Sequence, residues 1–311
     1  MNNYSDKIAI TTGDPNGIGA EITIKALNRM GISESKIVIL SNSKILNFYG
    51  KLNKNYELIE IPYGAEIQPG QINAAAGEFS FQCLRKVCEI KPKAIVTAPV
   101  AKNAMHLAGH SYNGQTEVLQ HFLACGNEHA EMLFVAGNFR VLLLTRHCAL
   151  KEVNLTKELI IKKVTDLNKF FKEKFKINNP KFALCSFNPH AGEDGILGRE
   201  EIEIMQPAVK ELINSGITIT EPLPSDTLFV NAGKAYSNGG SIPYDCYIAS
   251  YHDQGLIPIK TVAGDKTVNM TIGLSIIRTS PGHGTAFDIA GKNKADENGM
   301  ISAIKAVISS P

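Results

Sequence analysis

Several features that identify whole classes of proteins are missing from this 311-residue chain. Its six cysteines form no C-x-x-C pair and have no regular spacing, which argues against a disulfide framework and predicts reduced, mostly buried thiols. Basic and acidic side chains number 32 and 30, so the net charge of +2 gives no field that favours nucleic acid or an anionic membrane. Any anion that the protein binds must be captured locally.

Membrane and export signals are missing as well. No run of about 18 apolar residues occurs, which is the length that a spanning helix needs. The chain passes from Met1 through polar residues to an apolar strand at Ile8, without the basic and apolar regions of a signal peptide. We therefore expect a cytoplasmic protein, with neither nucleic acid nor membrane as a partner.

The common nucleotide-binding signatures are also lacking. The glycine-rich run Gly13–Gly19 follows an apolar strand and precedes a helix, but its spacing fits neither G-x-G-x-x-G nor the phosphate loop, which needs G-K-[ST]. Its backbone N–H groups could bind an anion, or its glycines could serve only a tight strand-to-helix turn. The residues leave both interpretations open.

Short β-rich runs that alternate with amphipathic segments of helix length are what the chain does contain. Its hydrophobic content of 44% suffices for a large core, and the alternation predicts a mainly parallel α/β sheet in two joined domains. The predicted strands are 7–11, 37–40, 94–97, 131–135, 141–145, 181–186 and 247–249. The predicted helices are 21–30, 77–90, 116–124, 157–174 and 200–215. The Gly-, Ser- and Asn-rich run 231–243 is interpreted as a flexible connection, either a plain surface loop or a mobile loop beside a site.

Three histidines follow predicted strands in settings punctuated by Gly, Pro or Cys: His147, His190 and His252. Imidazoles delivered by three strand ends could converge on one divalent cation and leave positions open for substrate oxygens. Their separations are too long for a recognisable metal-binding signature, so ordinary structural roles stay open at this point. Four other histidines are interpreted as structural: His106, His110, His121 and His129.

Six blocks of the sequence carry a resemblance to a known family. They are Asn188–Glu193, Pro224–Phe229, Tyr251–Leu256, Arg278–Ala286, Gly13–Gly19 and Thr97–Val100. Together they resemble the 4-hydroxythreonine-4-phosphate dehydrogenase (PdxA) family of pyridoxal phosphate biosynthesis, over essentially the whole chain. The resemblance implies an α/β fold of the isocitrate/isopropylmalate dehydrogenase type, with two α/β domains and the active site in the cleft between them.

The resemblance also implies the residue range and the role of each domain. Residues 1–127 and 264–311 are expected to build a discontinuous first domain that carries the cofactor loop. Residues 128–263 are expected to build a second domain that carries the metal ligands and the dimer contact. The loop His283–Ala286 (His283, Gly284, Thr285 and Ala286) is similar to the adenosine-binding loop of the wider superfamily, so NAD or NADP is the implied cofactor.

Site residues carry over from the resemblance position by position. The implied metal ligands are His147, His190 and His252, with His252 expected from the partner subunit of a homodimer. The implied substrate-binding residues are Gln115, Thr116, Lys260, Asn269 and Arg278. Asp226 and Asp253 are assigned to catalysis as carboxylates that orient the histidines, and the general base is open between Lys260 and a metal-bound water. The metal itself is open among zinc, magnesium, cobalt and manganese.

One position departs from the family pattern. Where the family reads Gly-His-Thr-Glu, this chain has Gly114, Gln115, Thr116 and Glu117. A glutamine donates a hydrogen bond but carries no charge, so the phosphate contact is expected to be weaker or rearranged.

The implied reaction is a metal-dependent oxidation of 4-phosphohydroxy-L-threonine by NAD or NADP. The product, 2-amino-3-oxo-4-phosphooxybutanoate, then decarboxylates to 3-amino-2-oxopropyl phosphate. Two alternatives stay open: a paralogous dehydrogenase of four-carbon sugar-acid phosphates such as phosphoerythronate or phosphothreonate, and a phosphate-ester binding protein that has lost catalysis.

Overall fold

A computed structural model describes residues 4–126 and 128–308 of the chain. The first stretch contains β1 (Ile8–Thr11), α1 (Gly19–Met30), β2 (Ile37–Ser41), α2 (Ser43–Tyr49), β3 (Glu57–Glu60), α3 (Ala74–Glu89), β4 (Ala94–Thr97), α4 (Lys102–Leu107) and α5 (Gln115–Leu123). The middle stretch contains β5 (Glu131–Ala136), β6 (Phe139–Leu143), α6 (Lys157–Lys174), β7 (Lys181–Leu184), α7 (Gln206–Asn214), β8 (Thr218–Ile219), α8 (Ser225–Ser237), β9 (Cys246–Ala249) and α9 (His252–Ala263). The last stretch contains β10 (Val268–Ile272), β11 (Ile277–Pro281) and α10 (Asn298–Ile308).

The chain divides into two compact units. The first comprises the described residues up to 130 together with those from 268 onward, and the second comprises residues 131–267. The first unit is therefore assembled from both ends of the sequence, and the second from its middle.

In the first unit the strands follow the order β3-β2-β1-β4-β11-β10. All neighbours pair in parallel except β10, which is antiparallel to β11. The central strands β1, β2 and β4 are apolar and fully buried, as expected for a parallel sheet covered on both faces. Phe79, Leu84 and Val87 of α3 lie in the core against this sheet.

In the second unit the strand order is β5-β6-β9-β7-β8. A hairpin joins antiparallel β5 and β6 at Gly137, whose φ of 57° suits glycine, and the other neighbours are parallel. Tyr247 of β9 is fully buried and packs against Phe139 and Phe229.

The helix over 157–174 is confirmed with both its predicted ends. Thr156 caps its start, where Oγ1 accepts a hydrogen bond from the N–H of Leu159 at 3.1 Å. Ile160, Val164 and Phe171 form part of its buried face, which is the apolar stripe that the sequence predicts.

All seven predicted strands are present, with ends that shift by a few residues. The prediction of a flexible connection over 231–243 is wrong in its first half, because residues up to Ser237 continue α8. Buried Leu228, Phe229 and Ala232 anchor that helix, and Gly233 is the one glycine within it.

The six cysteines are unpaired, and four of them are buried: Cys83, Cys88, Cys185 and Cys246. Cys125 and Cys148 are exposed. The prediction of mostly buried thiols is thus confirmed, and their reduced state stays a prediction. Within residues 4–126 and 128–308, every helix is too short or too polar to cross a bilayer.

Candidate active site

The three candidate metal ligands follow the ends of three neighbouring strands. In the second unit, β9 lies between β6 and β7, and all three strands run in parallel. His147 follows the carboxyl end of β6, His252 follows that of β9 and His190 follows that of β7. Parallel α/β sheets bind ligands at this edge. The topology therefore delivers all three imidazoles to the edge of the sheet at which function is expected.

The pairing of β6 with β9 continues beyond the strands and brings two of the histidines together. Thr145 donates through its backbone N–H and its Oγ1 to the carbonyl oxygen of Ser250, at 3.2 and 2.7 Å. Two residues further along each chain segment, the rings of His147 and His252 lie with their centres 5.6 Å apart. Both side chains are accessible to solvent, and the His252 side chain is 39% exposed.

These imidazoles fit a divalent metal as donors. Nδ1 of His252 lies 2.7 Å from Oδ1 of Asp253, and an N–H donated there leaves Nε2 as the free acceptor. Two imidazoles that share a tetrahedral zinc have ring centres about 5 Å apart, because each nitrogen lies about 2.0 Å from the metal. The separation of His147 and His252 is close to that value.

His190 does not join this pair within one chain. Across the described ranges, no group of three His, Cys, Asp or Glu side chains is placed to hold a metal ion. His190 lies on the turn Pro189–Gly195, where its φ is 52° and its ψ is 30°, in the left-handed region.

Gln254 connects segments that carry candidate residues, a role that no local sequence pattern indicates. Its Nε2 donates to the carbonyl oxygen of Ser186 at 2.6 Å and to Oγ of Ser225 at 2.9 Å, and its Oε1 accepts from the N–H of Ser250 at 2.7 Å. Ser186 precedes the His190 turn and Ser225 precedes Asp226. The Gln254 side chain thus links the segments that contain Ser186, Ser225 and Ser250 at this edge of the sheet.

The other candidates from the second unit lie on helices. Asp253 is in the first turn of α9 and is 72% exposed, and its carboxylate contacts His252. Asp226 is exposed in the first turn of α8, and Lys260 is exposed in the last turn of α9. Gly255 is buried, and a Cβ at this position would lie 2.7 Å from Leu143 Cδ2. Part of the Tyr251–Leu256 motif therefore serves the packing of α9 on the sheet.

The first unit contains a second group of candidates, which we call the arginine cluster: Arg278, Thr97, Thr271, Gln115 and Glu117. Arg278 is only 3% exposed, yet its hydrogen-bond partners are neutral hydroxyls. Its Nε and Nη2 donate to Oγ1 of Thr97 at 2.9 and 2.6 Å, and Nη1 lies 3.4 Å from Oγ1 of Thr271. Antiparallel pairing places Arg278 opposite Thr271 and thus on one face of the sheet with it.

The charge of Arg278 is poorly compensated. Burial lowers the pKa of the guanidinium to about 10, and the negative charge of Glu117 opposes this shift. The group therefore remains a cation at neutral pH. A buried cation held by hydroxyls is suited to bind a phosphate or carboxylate, for which its planar fork is well shaped.

Gln115, which departs from the family pattern, lies near Arg278, because it contacts the residue that follows Thr97. Gln115 donates from Nε2 to the carbonyl oxygen of Ala98 at 3.2 Å, and its buried Oε1 lacks a partner among the described atoms. It begins α5, whose first turn has no side-chain cap, so N–H groups there are available to an anion. Thr116, the second residue of α5, is buried. Asn269 lies on β10, with Oδ1 buried and without a partner in the same described set.

The candidate cofactor loop is held against the Gly13–Gly19 run. The N–H of Ile18 donates to the carbonyl oxygen of Thr285 at 3.1 Å, and a Cβ on Gly17 would lie 3.1 Å from Thr285 Cβ. Ala286 has a φ of 44°, and Gly284 is exposed. Gly299 at the start of α10 leaves room for the His283 ring, since a Cβ there would lie 2.9 Å from Nε2. The glycine-rich run thus serves as a close-packed support for this loop.

Asp14, in the same run, is fully buried, which the sequence did not predict. Oδ1 accepts the N–H of Asn16 at 2.9 Å, and Oδ2 is without a hydrogen-bond partner within the described part of the chain. Burial raises the pKa of Asp14 to about 6, and backbone hydrogen bonds from Asn16 and Ala101 oppose this.

Residues 7–307 match the family described as pyridoxal phosphate biosynthetic protein PdxA. The chain belongs to this family. It is 39% identical, over 97% of both chains, to the 4-hydroxythreonine-4-phosphate dehydrogenase of Sulfurihydrogenibium sp. (strain YO3AOP1). It is also 36% identical to a relative from Oceanobacillus iheyensis that carries the provisional name D-threonate 4-phosphate dehydrogenase, over 97% of this chain and 96% of the relative.

Solved structures agree with this assignment. The crystal structure of the 4-hydroxythreonine-4-phosphate dehydrogenase of Klebsiella pneumoniae matches with a TM-score of 0.85 and 34% identity, over 98% of this chain and 99% of that one. The isocitrate dehydrogenase of Methylococcus capsulatus matches with a TM-score of 0.51 at 14% identity, over 97% and 84% of the two chains, which shows the fold alone. The predicted isocitrate dehydrogenase-like α/β fold is confirmed. As a PdxA family member the chain is an enzyme, an oxidoreductase of pyridoxal phosphate biosynthesis.

Proposed function

We propose that the protein oxidises 4-phosphohydroxy-L-threonine with NAD or NADP and a divalent metal, and that the resulting 3-keto acid loses carbon dioxide to give 3-amino-2-oxopropyl phosphate. The observation that carries the proposal is the delivery of His147, His252 and His190 to one edge of the sheet by three adjacent parallel strands. The name of the Sulfurihydrogenibium relative supports the choice of substrate.

The metal would be held by the three histidines through neutral imidazole nitrogens. A bound divalent cation supplies Lewis-acid chemistry toward the secondary alcohol of the substrate. Asp253 accepts the Nδ1 proton of His252 and so fixes the tautomer that directs Nε2 outward. Zinc, magnesium, cobalt and manganese all remain compatible with imidazole donors and substrate oxygens.

The arginine cluster is proposed to bind an anionic group of the substrate. Arg278 presents a cation to a phosphate or carboxylate, and the uncapped first turn of α5 adds N–H donors. The unpartnered acceptors of Gln115 and Asn269 suit an ammonium or hydroxyl group better than they suit a phosphate dianion. We propose Lys260, exposed on α9, as the base that receives the alcohol proton.

NAD or NADP is proposed to bind at the loop His283–Ala286. Such a cofactor accepts the hydride from the alcohol carbon. The support of this loop by Gly17 and Ile18 fixes its backbone, and Gly284 is exposed without a side chain that would obstruct an approaching ligand.

A homodimer with shared sites follows from the metal proposal. One chain brings His147 and His252 together without a third ligand among its described residues. A second protomer would supply the third imidazole. The 5.6 Å separation of His147 and His252 within one chain favours His190 of the partner subunit in that role, whereas the family resemblance assigns His252 to the partner. The domain roles given above and the cytoplasmic location stay predictions.

One other substrate is favoured by specific observations. The Oceanobacillus relative carries a D-threonate 4-phosphate name at an identity similar to that of the other relatives, and Gln115 departs from the family histidine. Such a substrate has a hydroxyl where phosphohydroxythreonine has an amino group. The same oxidation and decarboxylation would apply to it.

A comparison of reaction rates at 340 nm tests the proposal. Purified enzyme with added Co²⁺ is given NAD or NADP and either 4-phosphohydroxy-L-threonine or D-threonate 4-phosphate. The proposal predicts that the amino acid gives the higher kcat/KM by about tenfold or more. A higher value with D-threonate 4-phosphate would establish the alternative, and absence of reduction with either substrate would contradict both.

A further inference from the structure

The turn that carries His190 has an unusual backbone. Five consecutive residues, His190, Ala191, Gly192, Glu193 and Asp194, have φ values of 52°, 55°, 78°, 45° and 54°. Only one of them is glycine. Residues with a Cβ visit this left-handed region as single residues, because the Cβ approaches the following carbonyl oxygen. A run of this kind persists only where surrounding contacts impose it.

Glu201 makes the contacts that hold the entrance of this turn. It is 1% exposed, at the start of the π-helical turn Glu201–Met205. Its Oε1 accepts from the backbone N–H groups of Phe187 and Asn188 at 2.8 and 2.7 Å, and its Oε2 accepts from Nδ2 of Asn188 at 2.9 Å. One carboxylate thereby satisfies three donors immediately before His190.

The middle of the turn, at Gly192, also approaches the Glu201 carboxylate closely. The N–H of Leu197 donates to the carbonyl oxygen of Gly192 at 3.1 Å. A Cβ on Gly192 would lie 2.8 Å from Oε2 of Glu201, and one on Gly198 would lie 2.3 Å from Nδ2 of Asn188. Both glycines are thus required by the close approach of the backbone to Glu201 and Asn188.

We infer that Glu201 is a positioning residue, whose carboxylate holds the left-handed turn and through it sets the position of His190. The inference rests on the proposed function, in which His190 is a metal ligand. A glutamine at this position keeps one acceptor oxygen, but its amide group would face donors on Phe187 or Asn188. Glu201→Gln should therefore weaken metal binding, while the rest of the fold is retained.

Calorimetric titration of Co²⁺ into four proteins tests the inference: wild type, Glu201→Gln, His190→Ala and the double variant. We expect Glu201→Gln to weaken Co²⁺ binding about tenfold or more, as residues that orient metal ligands do. In the His190→Ala background the same substitution should cost no further affinity. Glu203→Gln is the matched control, because Glu203 lies on the same turn with its side chain 57% exposed, and it should bind like wild type.

The possible outcomes separate this inference from the metal proposal. If wild type does not bind Co²⁺, or His190→Ala binds as tightly, the three-histidine site itself fails. If His190→Ala loses affinity while Glu201→Gln binds like wild type, the positioning role is wrong. An equal loss from Glu201→Gln in both backgrounds would also contradict it. Should Glu201→Gln fail to fold, Asn188→Ala removes one contact to the carboxylate and should show a smaller loss, whereas unchanged affinity would refute the inference.

Discussion

The guanidinium of Arg278 donates two hydrogen bonds to a single oxygen, Oγ1 of Thr97, at 2.9 and 2.6 Å. Thr97 is the last residue of β4, and Arg278 lies on the adjacent strand β11, so two parallel neighbours fix the buried cation. In the proposed function this arrangement orients the guanidinium toward an anionic group of the substrate.

Replacement of Thr97 by valine should therefore raise KM for the phosphorylated substrate. Loss of a hydrogen-bond acceptor for a buried charged group costs about 1.5–3 kcal/mol, equivalent to about tenfold or more in KM. Thr97→Ser keeps the hydroxyl and should restore a KM near that of wild type. Steady-state kinetics with both variants checks this, and equal KM values for valine and wild type would show that Thr97 does not act through Arg278.

How much of this fold could be predicted depended on the kind of element. Buried strands such as β4 and the long amphipathic α6 have strong local patterns, and both were predicted within a few residues. Helix α9 was not predicted, because Gly255 and Pro258 interrupt its pattern. Its packing on β6 overrides that local preference.

The candidate site was predictable in its residues but less so in its arrangement. The histidines stand out by their positions after strands, yet their proximity depends on β9 lying beside β6, a strand order that periodicity does not reveal. The roles of Gln254 and Glu201 depend on contacts between residues distant in sequence. Neither glutamine nor glutamate has a local signature for such a role.

Burial of Asp14 predicts a specific pH dependence of stability. Its pKa is raised from 3.8 to about 6 in the folded protein, so this group contributes stability that is present below pH 4 and lost as the pH rises through 6. At 1.36 kcal/mol for each pKa unit, the loss is about 3 kcal/mol.

Urea unfolding of wild type and Asp14→Asn between pH 4 and 7.5 measures this contribution. Because the variant cannot ionise at this position, wild type should lose stability relative to it as the pH rises. Other titrating groups cancel in the difference between the two proteins. A difference that is constant with pH, or that has the opposite slope, would rule out a raised pKa at Asp14.

The left-handed turn predicts an unusual response to glycine. Ala191 has a φ of 55°, so Ala191→Gly should stabilise the protein by about 1 kcal/mol, since left-handed conformations cost residues with a Cβ about 1–2 kcal/mol. Ala235 in α8 is the matched control, because its backbone is helical and the same substitution should destabilise by about 0.5–1 kcal/mol. Thermal unfolding of both variants gives the signs. Destabilisation by Ala191→Gly would mean that the turn is not left-handed in solution.

Shared sites in a homodimer predict complementation between inactive variants. If His190 and His252 of one site come from different chains, an equal mixture of His190→Ala and His252→Ala, unfolded and refolded together, regains about a quarter of wild-type activity, because half of the dimers carry one intact site. Mixing His147→Ala with His190→Ala then shows whether these two share a chain, in which case no activity returns. If all three ligands come from one protomer, neither mixture is active.

A dehydrogenase reaction that runs at a metal held by three histidines is the central claim. The direct measurement follows NADH or NADPH formation at 340 nm while Co²⁺ is titrated into chelator-treated enzyme with 4-phosphohydroxy-L-threonine present. We predict that activity is lost on chelation and returns to a plateau at about one ion per chain, while His190→Ala stays at the chelated level throughout. Full activity after complete removal of divalent metal, or recovery by His190→Ala to the wild-type plateau, would contradict the account.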